Sequence, residues 1–351
     1  MSNIIEFKAA VLREIDRPLS IETIYCDGVS YGQVLVEIYA TGVCGSQLME
    51  AKGFRGVDVW LPHLLGHEAF GKVIEIGQGV KKVKIGDEVI LSWQKGTGLD
   101  VQGPNLKDCN GNMINAGPVT TFSSMTIVSE NRVFIAPPGF KKTFLPLFGC
   151  ALLTGGGMVL NNFLQVLHRN ILILAFGCVG SSAALVAEYF VKEKLVIVEK
   201  SFSRREQAIK MGFKKVFSPE DSEFQSYFES IGGFDLCIES AGEAETIELG
   251  FNLIHKTGLL VFASHPKAGD FIKLDPFDLI NGKKILGSKG GGISPELCMK
   301  QIADILLRSQ INYEEMLGNV YALDEINGAL DSLESGEFGR KIISISDSSN
   351  S

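Results

Sequence analysis

The sequence predicts an α/β protein with two domains, one rich in β-strands and one built on a doubly wound parallel sheet. The 351 residues exceed the size of one typical domain. Before residue 150, β-branched runs bounded by glycine, at 34–38 and 72–76, are typical of strands. From residue 170 onward, apolar runs alternate with helical segments, which indicates a parallel sheet covered by helices on both faces.

Local patterns predict the remaining elements in chain order. Short glycine-containing segments at 77–79 and 86–87 mark turns in the first domain. In the second domain, uninterrupted apolar runs predict buried strands, and the segments between them predict helices. The predicted strands are 171–174, 195–198, 235–238 and 259–262, and the predicted helices are 182–191 and 204–211. After a glycine cluster, an amphipathic segment at 295–308 predicts a helix, and 342–345 returns to strand character.

Composition excludes several classes of protein. The hydrophobic share of 45% supports large cores, and the net charge of −8 argues against nucleic acid or an anionic membrane as the main partner. Seven cysteines in a chain of this size do not form a dense disulfide framework. The first eight residues lack a signal-peptide pattern, and the longest uncharged run, 171–187, is too short to span a membrane. We expect a cytoplasmic protein whose serine-rich tail, 344–351, is frayed.

A glycine turn follows the predicted strand 171–174. It carries Gly177 and Gly180, with Ala175 where a first glycine would stand. A strand, a glycine turn and a helix start expose backbone N–H groups that can bind a pyrophosphate. An ordinary strand-to-helix turn can show the same glycines, so the pattern alone leaves both interpretations open.

A carboxylate at the end of the next strand strengthens the dinucleotide interpretation. Glu199 lies 19 residues after Gly180. A carboxylate at this place accepts hydrogen bonds from the ribose hydroxyls of NAD and repels the 2′-phosphate of NADP. We therefore expect NAD, and the basic residues that follow Glu199 keep NADP as the alternative.

Cys44, His67 and Cys150 are candidate metal ligands. Two thiolates and one imidazole suit a borderline-soft, tetrahedral cation such as zinc, and three protein ligands leave a fourth position open for chemistry. Taken singly, each cysteine could be a buried apolar residue and the histidine a core residue with ordinary hydrogen bonds. Thiolate ligands would require a reducing compartment, in agreement with a cytoplasmic location.

The order of several motifs resembles the zinc-dependent alcohol dehydrogenases of the medium-chain dehydrogenase/reductase superfamily. The resemblance covers nearly the whole chain. Its motifs are Gly-Val-Cys at 42–44, Gly-His-Glu at 66–68, the glycine- and valine-rich run 70–89, the segment around Cys150, and Ser-Gly-Glu-Phe-Gly-Arg at 335–340. It implies a GroES-like catalytic domain at 1–151, a Rossmann NAD-binding domain at 152–287, and a return to the catalytic domain at 288–351, with the active site in the cleft between them.

The resemblance assigns roles to individual residues. Cys44, His67 and Cys150 match the three ligands of the catalytic zinc, and Glu68 matches a carboxylate behind the metal. Ser46 matches the hydroxyl that relays the alcohol proton, although the histidine that often continues this relay is replaced by Met49. The remaining implied contacts are Thr154 and Val179 to the nicotinamide, Arg204 to the adenosine ribose, Arg340 to the pyrophosphate, and Trp93 to the substrate.

Two departures from the family pattern affect the metal sites. Gln47 stands where many relatives have an acidic residue that orients the histidine ligand. Many relatives also bind a structural zinc with four closely spaced cysteines, whereas residues 93–118 hold only Cys109. We therefore expect one catalytic zinc per subunit and no structural zinc. His63, His168, His255 and His265 receive no role.

These features predict hydride transfer between NAD(H) and an alcohol, aldehyde or ketone. One alternative is a pathway-specific reductase of a sugar-like or unsaturated carbonyl compound. An alternative of another class is a non-catalytic NAD-binding structural or sensor protein. The resemblance also implies a homodimer or homotetramer that pairs through a strand edge, either 258–264 or 284–289.

Overall fold

The computed structural model describes residues 4–165, 170–263, 266 and 269–345. Contacts between Cα atoms divide the described residues into two compact units. The first unit contains Met1–Cys150 and Leu317–Ser351, and the second contains Ala151–Met316. Within the described residues, no helix is both long and apolar enough to cross a membrane. The tail expected to be frayed falls mostly outside the description, which ends at residue 345.

The first unit is predominantly β-structure. Up to Cys150 its elements are β1 Ile5–Leu12, β2 Ser20–Cys26, β3 Gln33–Val43, α1 Gly45–Ala51, β4 His63–Leu64, β5 Glu68–Ile76, β6 Glu88–Ser92, β7 Leu106–Lys107, β8 Met113–Ile114, β9 Met125–Ser129 and β10 Val133–Ile135. A short 3₁₀ turn, Leu145–Gly149, leads to Cys150.

The second unit alternates helices and strands. Its elements are α2 Ala151–Asn162, β11 Ile171–Leu174, α3 Cys178–Val191, β12 Leu195–Val198, α4 Phe202–Met211, β13 Val216–Phe217, α5 Ser222–Ile231, β14 Phe234–Glu239, α6 Ala244–Leu253, β15 Ile254–Phe262, α7 Pro276–Ile280, β16 Lys284–Gly287 and α8 Pro295–Leu306. The chain then returns to the first unit with β17 Leu317–Ala322, α9 Ile326–Glu334 and β18 Arg340–Ser344.

Sheet topology confirms the predicted fold class. In the second unit the described strands run in the order β13-β12-β11-β14-β15-β16, and every neighbouring pair is parallel. This order is the doubly wound arrangement of dinucleotide-binding domains. In the first unit, one sheet has the order β4-β1-β2-β7-β8, and a second has the order β10-β6-β5-β3-β18-β17 with β9 also paired to β3.

The core strands are buried as their composition predicts. All four residues of β11 and of β12 are buried, because helices cover both faces of a parallel sheet. Helix α3 begins at Cys178, four residues before the predicted start at 182. Gly177 is its extended N-cap residue, and the Ser181 hydroxyl donates to the Gly177 carbonyl. Small and hydroxyl-bearing residues therefore form the first turn instead of preceding the helix.

The predicted return to the first domain at residue 288 is wrong. Helix α8 belongs to the second unit, and the return begins at Leu317. Glycines in α2 permit close packing against α8: a Cβ atom at Gly156 would lie 2.7 Å from Ile302, and one at Gly157 would lie 3.3 Å from Cys298. The apolar face of this helix, read from the sequence, did not reveal which unit it would cover.

Candidate metal centre and cofactor turn

Three loop or turn positions bring the predicted ligands together in the first unit. Cys44 lies between the last residue of β3 and the first residue of α1, where its N–H donates to Oε1 of Gln47 at 3.0 Å. His67 directly precedes β5. Cys150 follows the 3₁₀ turn, whose Gly149 carbonyl accepts a hydrogen bond from the Ser92 hydroxyl at 2.6 Å. The side-chain ligand atoms of Cys44, His67 and Cys150 all lie within 4.8 Å of one another.

This donor set fits a tetrahedral zinc ion. Sulfur and nitrogen ligands at about 2.3 and 2.1 Å from such an ion lie about 3.6–3.8 Å apart, within the observed 4.8 Å limit. Nε2 of His67 is buried and has no hydrogen-bond partner among the described residues. A buried ring nitrogen without a partner is costly, and a cation beside the two thiolates would provide that partner.

The electrostatic environment of the two thiols also suits a cation. A hydrogen bond from Cys150 lowers the pKa of Cys44 well below its ordinary value, despite the opposing effect of burial, and nearby Arg340 lowers it further. The same hydrogen bond raises the pKa of Cys150 well above its ordinary value, and burial adds to the rise. The first proton of the pair is therefore lost more readily than the second. A divalent cation would favour loss of both protons.

A buried ion pair lies beside the ligands. Nε of Arg340 is 3.0 Å from Oε1 of Glu68, and both side chains are almost completely buried. The guanidinium also donates to the Val43 carbonyl at 3.0 Å. Two thiolates, Glu68 and Arg340 together carry two negative charges, which one divalent cation neutralises.

Gln47 contacts the ring of His67 in place of a carboxylate. The amide nitrogen of Gln47 is directed at Nδ1 of His67, and the Ser46 hydroxyl lies 3.5 Å from this ring nitrogen. If Nε2 binds a metal, Nδ1 of the neutral ring keeps the proton and becomes a donor. A half-turn of the Gln47 amide would then present its oxygen to Nδ1. This rotation of the amide would move Oε1 of Gln47 away from the Cys44 N–H that donates to it.

A cavity of about 650 Å³ opens beside His67 in the first unit. Gln47, His67 and Trp93 line it, so the predicted substrate-contacting tryptophan lies next to a metal ligand. The backbone N–H of Trp93 also donates to the His67 carbonyl at 3.1 Å. The lining is partly polar, because it also includes the amide side chains of Gln102, Asn105 and Asn115.

The glycine turn of the second unit has the backbone of an anion site. Ala175 adopts a φ of 70°, a left-handed conformation that favours glycine. A Cβ atom at Gly180 would lie 2.0 Å from the Ala175 carbonyl oxygen, so only glycine fits there. Gly177 faces open space, with nothing within 4 Å of such an atom. The turn therefore leaves room for a ligand at the start of α3.

Comparison with known proteins identifies the family. Residues 30–138 match the alcohol dehydrogenase GroES-like domain. Residues 178–307 match the zinc-binding dehydrogenase family. The chain belongs to the zinc-dependent alcohol dehydrogenases. This assignment within the medium-chain dehydrogenase/reductase superfamily confirms the predicted family and its GroES-like and Rossmann-type domains.

Relatives of this alcohol dehydrogenase family member extend over almost the whole chain. A class-3 alcohol dehydrogenase from Cereibacter sphaeroides is 24% identical, covering 96% of this chain and 99% of the relative. An S-(hydroxymethyl)glutathione dehydrogenase from Synechocystis sp. is 26% identical, with 96% and 99% covered. The crystal structure of benzyl alcohol dehydrogenase from Acinetobacter calcoaceticus superposes with a TM-score of 0.86 at 25% identity, with 97% and 100% covered. The description of the matched family, zinc-binding dehydrogenase, agrees with the metal predicted from the sequence.

The other predicted cofactor residues have clear positions in this family member. Thr154 is buried in α2, and Val179 lies in the first turn of α3. The two helices approach closely, since a Cβ atom at Gly155 would lie 2.1 Å from the Val179 carbonyl oxygen. Arg204 is half-buried in α4. The predicted roles of these residues at the nicotinamide and the ribose stay predictions.

Two predicted cofactor ligands have partners that the sequence did not reveal. Glu199 is buried, and its carboxylate accepts hydrogen bonds from the Phe176 N–H at 2.6 Å and the Ser201 N–H at 2.8 Å. It therefore fixes the glycine turn in addition to any contact with a ribose. Arg340 is paired with Glu68, so its guanidinium serves the metal centre as well as its predicted contact to pyrophosphate.

Sequence reasoning missed a second group of possible ligands. His63, which received no role, lies with Glu50 and Asp58, and their ligand atoms are within 4.8 Å of one another. The sequence offered one signal for this group. Glu50 lies on α1 one helical turn after Gln47, so the two side chains lie on the same face of the helix. The exposed segment that brings Asp58 to this place has no periodic pattern that predicts its course.

Proposed function

We propose that this chain is an NAD(H)-dependent alcohol dehydrogenase with one catalytic zinc per subunit. The observation that carries the proposal is the convergence of Cys44, His67 and Cys150. Zinc bound by this set would supply Lewis-acid polarisation of an alcohol or carbonyl oxygen, and the nicotinamide would exchange the hydride. Two thiolates and an imidazole leave the fourth position for that oxygen.

The residues around the ligands have complementary roles in this proposal. The Arg340 guanidinium stabilises the thiolates, since its charge lowers the pKa of both cysteines. Gln47 fixes the ring of His67 without adding negative charge. Ser46, half-buried beside that ring, would accept the alcohol proton and pass it to a cofactor hydroxyl or to water. Its relay does not continue to a histidine, because position 49 is methionine.

The cavity supports small alcohols and aldehydes as substrates. Trp93 provides a flat apolar wall next to His67, which suits an aromatic or short aliphatic group. The amide-bearing residues of the lining favour an added hydroxyl group, so a sugar-like carbonyl compound is the second candidate. A panel that pairs benzyl alcohol with polyols of similar length separates the two.

The position of Glu199 supports NAD over NADP. Its carboxylate follows β12 and lies at the glycine turn, as its contact with the Phe176 N–H requires. A 2′-phosphate near this buried carboxylate would face charge repulsion. Reduced Cys44 and Cys150, which zinc binding needs, would be maintained in the cytoplasm, where we place the protein.

Zinc removal tests the proposed chemistry. A chelator should abolish oxidation of a neutral alcohol, and added Zn²⁺ should restore it, because the open coordination site supplies the polarisation. Cys150→Ser should lower the zinc content per chain. It should also lower kcat by at least about 10²-fold. Cys26→Ser is the matched control, since Cys26 is equally buried in the same unit but lies outside the ligand set.

The same assay separates the rival functions. We expect a higher kcat/KM with NADH than with NADPH for the reverse reaction. A preference for NADPH would refute the cofactor assignment but leave the zinc chemistry intact. A zinc-loaded protein that binds NADH and converts no alcohol, aldehyde or ketone would establish the non-catalytic alternative.

A further inference from the structure

A second group of potential metal ligands lies in the first unit, outside the zinc trio. Glu50 is on α1, Asp58 is in the segment that follows it, and His63 is the first residue of β4. Their ligand atoms lie within 4.8 Å of one another. The group combines two carboxylates with one imidazole, a set that suits harder divalent cations than the sulfur-rich set around Cys44 does.

Both ring nitrogens of His63 lie within hydrogen-bond distance of oxygen atoms. Only 5% of the residue is exposed. Nδ1 lies 3.0 Å from the Leu64 carbonyl oxygen, and Nε2 lies 2.7 Å from Oδ2 of Asp58. A neutral imidazole has a single N–H. When Nδ1–H donates to the carbonyl, the lone pair of Nε2 faces a carboxylate oxygen, and Glu50 Oε1 lies 4.0 Å away on the same side.

Hydrogen bonds within the segment hold these ligands in place. The Trp60 N–H donates to Oδ1 of Asp58 at 2.9 Å, which leaves Oδ2 directed at His63. The contact from Nδ1 of His63 to a backbone carbonyl is the outer contact that metal-binding histidines usually make. Arg55 lies 3.8 Å from the other oxygen of Glu50, and it partly balances the charge of the two carboxylates.

We propose that Glu50, Asp58 and His63 bind a divalent cation of the Mn²⁺, Co²⁺ or Zn²⁺ class. The site is exchangeable and separate from the one tightly held zinc, because carboxylate and imidazole ligands lack the thiolates that retain zinc. It does not depend on the proposed dehydrogenase activity. The competing occupant is a proton, which would make His63 an imidazolium between Asp58 and the Leu64 carbonyl.

Such a cation would change the chemistry of the neighbouring cavity. Glu50 and His63 line the cavity together with His67 and Trp93. The described lining residues include no lysine or arginine. A divalent ion at this wall would supply the missing positive charge and would bind an oxygen atom of a substrate or of water.

Mn²⁺ titration of the zinc-loaded full-length protein tests the site. Mn²⁺ binds thiolate sites more weakly than zinc does, so it should leave the first centre filled. Electron paramagnetic resonance of free Mn²⁺ should show uptake of one equivalent per chain. Glu50→Gln should weaken this uptake by roughly tenfold or more, and His63→Gln should abolish it.

Control variants make the result decisive. Asp27→Asn removes an exposed carboxylate of the same unit and should leave the Mn²⁺ affinity unchanged. Glu50→Gln preserves the contact between His63 and Asp58, so it reports on the ligand even if His63→Gln fails to fold. Mn²⁺ affinities that are equal in the wild type and the Glu50→Gln variant would overturn the proposal and leave a proton as the cation on His63.

Discussion

Glu68 is accommodated beside the metal ligands by two glycines. A Cβ atom at Gly42 would lie 1.8 Å from Oε1 of Glu68, and one at Gly149 would lie 2.7 Å from its Cβ. The carboxylate is fully buried against Arg340. Loss of one partner of a buried ion pair typically costs about 3–5 kcal/mol, because the other charge stays buried without compensation. The glycines next to the two cysteine loops therefore maintain the charge balance of the centre.

Gly42→Ala should damage the metal centre through Glu68. The added methyl group overlaps the carboxylate and forces it to shift, and overpacking of this kind costs about 1–3 kcal/mol. We expect a lower melting temperature and a lower zinc content by elemental analysis. Gly45→Ala is the matched control, because a Cβ atom there meets nothing within 4 Å. Equal zinc content and equal melting temperatures for the two variants would contradict this account.

Single residues also show how far sequence reasoning reaches. The convergence of Cys44, His67 and Cys150 could be predicted because residue type and motif order carry that information. The partners of Glu199 and Arg340 could not be predicted. Each depends on a hydrogen bond or ion pair to a group far away in the sequence, such as the Phe176 N–H and the Glu68 carboxylate. Neither partner can be inferred from the spacing of residues in the sequence.

At the scale of elements, one buried glutamate organises the start of loop 93–118. Glu130 is 3% exposed, and it accepts hydrogen bonds from the Lys82 N–H at 2.7 Å and the Leu99 N–H at 2.8 Å. The Ser129 hydroxyl accepts from the Val101 N–H at 2.9 Å and donates to the Leu99 carbonyl at 2.6 Å. These contacts fix the start of loop 93–118.

The far part of the same loop is held by Asp108. Its carboxylate accepts from the Asn110 and Asn112 N–H groups, both at 2.9 Å, and lies 3.1 Å from Arg13. Buried carboxylates that cap backbone N–H groups therefore order a segment that has one cysteine. The sequence showed that the loop holds a single cysteine, but it did not show which side chains order the loop.

Glu130→Gln should destabilise the protein in a pH-dependent way. Burial alone would raise the pKa of Glu130, but backbone N–H groups hold it below its ordinary value of 4.5. The stabilisation is therefore complete above pH 4.5 and is lost as the pH falls through the lower pKa of the folded state. We expect a loss of about 1–3 kcal/mol at pH 7.

Denaturant unfolding at several pH values provides the measurement. The difference in unfolding free energy between the wild type and Glu130→Gln should shrink as the pH falls below 4.5. Glu14→Gln is a control at an exposed carboxylate. A difference that stays constant with pH would show that the charge of Glu130 does not stabilise the loop.

Two glycines in the turn of the second unit have different roles, one in packing and one at the ligand site. Gly180→Ala should destabilise the fold, because the new Cβ atom would lie 2.0 Å from the Ala175 carbonyl oxygen. Gly177→Ala should fold normally, since its Cβ atom meets nothing and its φ is −82°. It should still weaken NADH binding by about tenfold or more, because a methyl group would occupy the approach to the helix start. Thermal unfolding and NADH fluorescence titration measure the two effects, and unchanged NADH affinity in Gly177→Ala would contradict the site.

At the scale of the whole molecule, the alternation of apolar strands and helices was sufficient to predict the fold class. The alternation narrows the strand order to a few arrangements, because crossovers between parallel strands are right-handed, and the structure shows which of them is formed. The domain boundary at 288 failed because α8 is amphipathic on its own and packs against the glycines of α2. Which surface a helix covers depends on the shape of its partner, and the partner glycines lie more than 130 residues earlier in the chain.

The sheet order also distinguishes the two predicted edges for subunit pairing. β15 lies between β14 and β16, so it is an interior strand, whereas β16 ends the sheet. Exposed apolar side chains cluster in sequence near this edge: Phe277 is 69% exposed, Ile280 77% and Leu286 46%. An exposed strand edge with apolar neighbours favours association with another chain. We therefore propose β16 as the edge through which subunits pair.

Leu286→Lys should convert the proposed oligomer to a smaller species. A lysine on β16 would bring like charges together across a symmetric interface and would remove apolar contact. Light scattering coupled to size exclusion measures the mass. Val320→Lys is the matched control, because Val320 is 54% exposed on β17, the terminal strand of the sheet in the first unit. If Val320→Lys dissociates the oligomer and Leu286→Lys does not, the pairing edge belongs to the first unit; if the wild type is already a monomer, the subunit pairing itself is refuted.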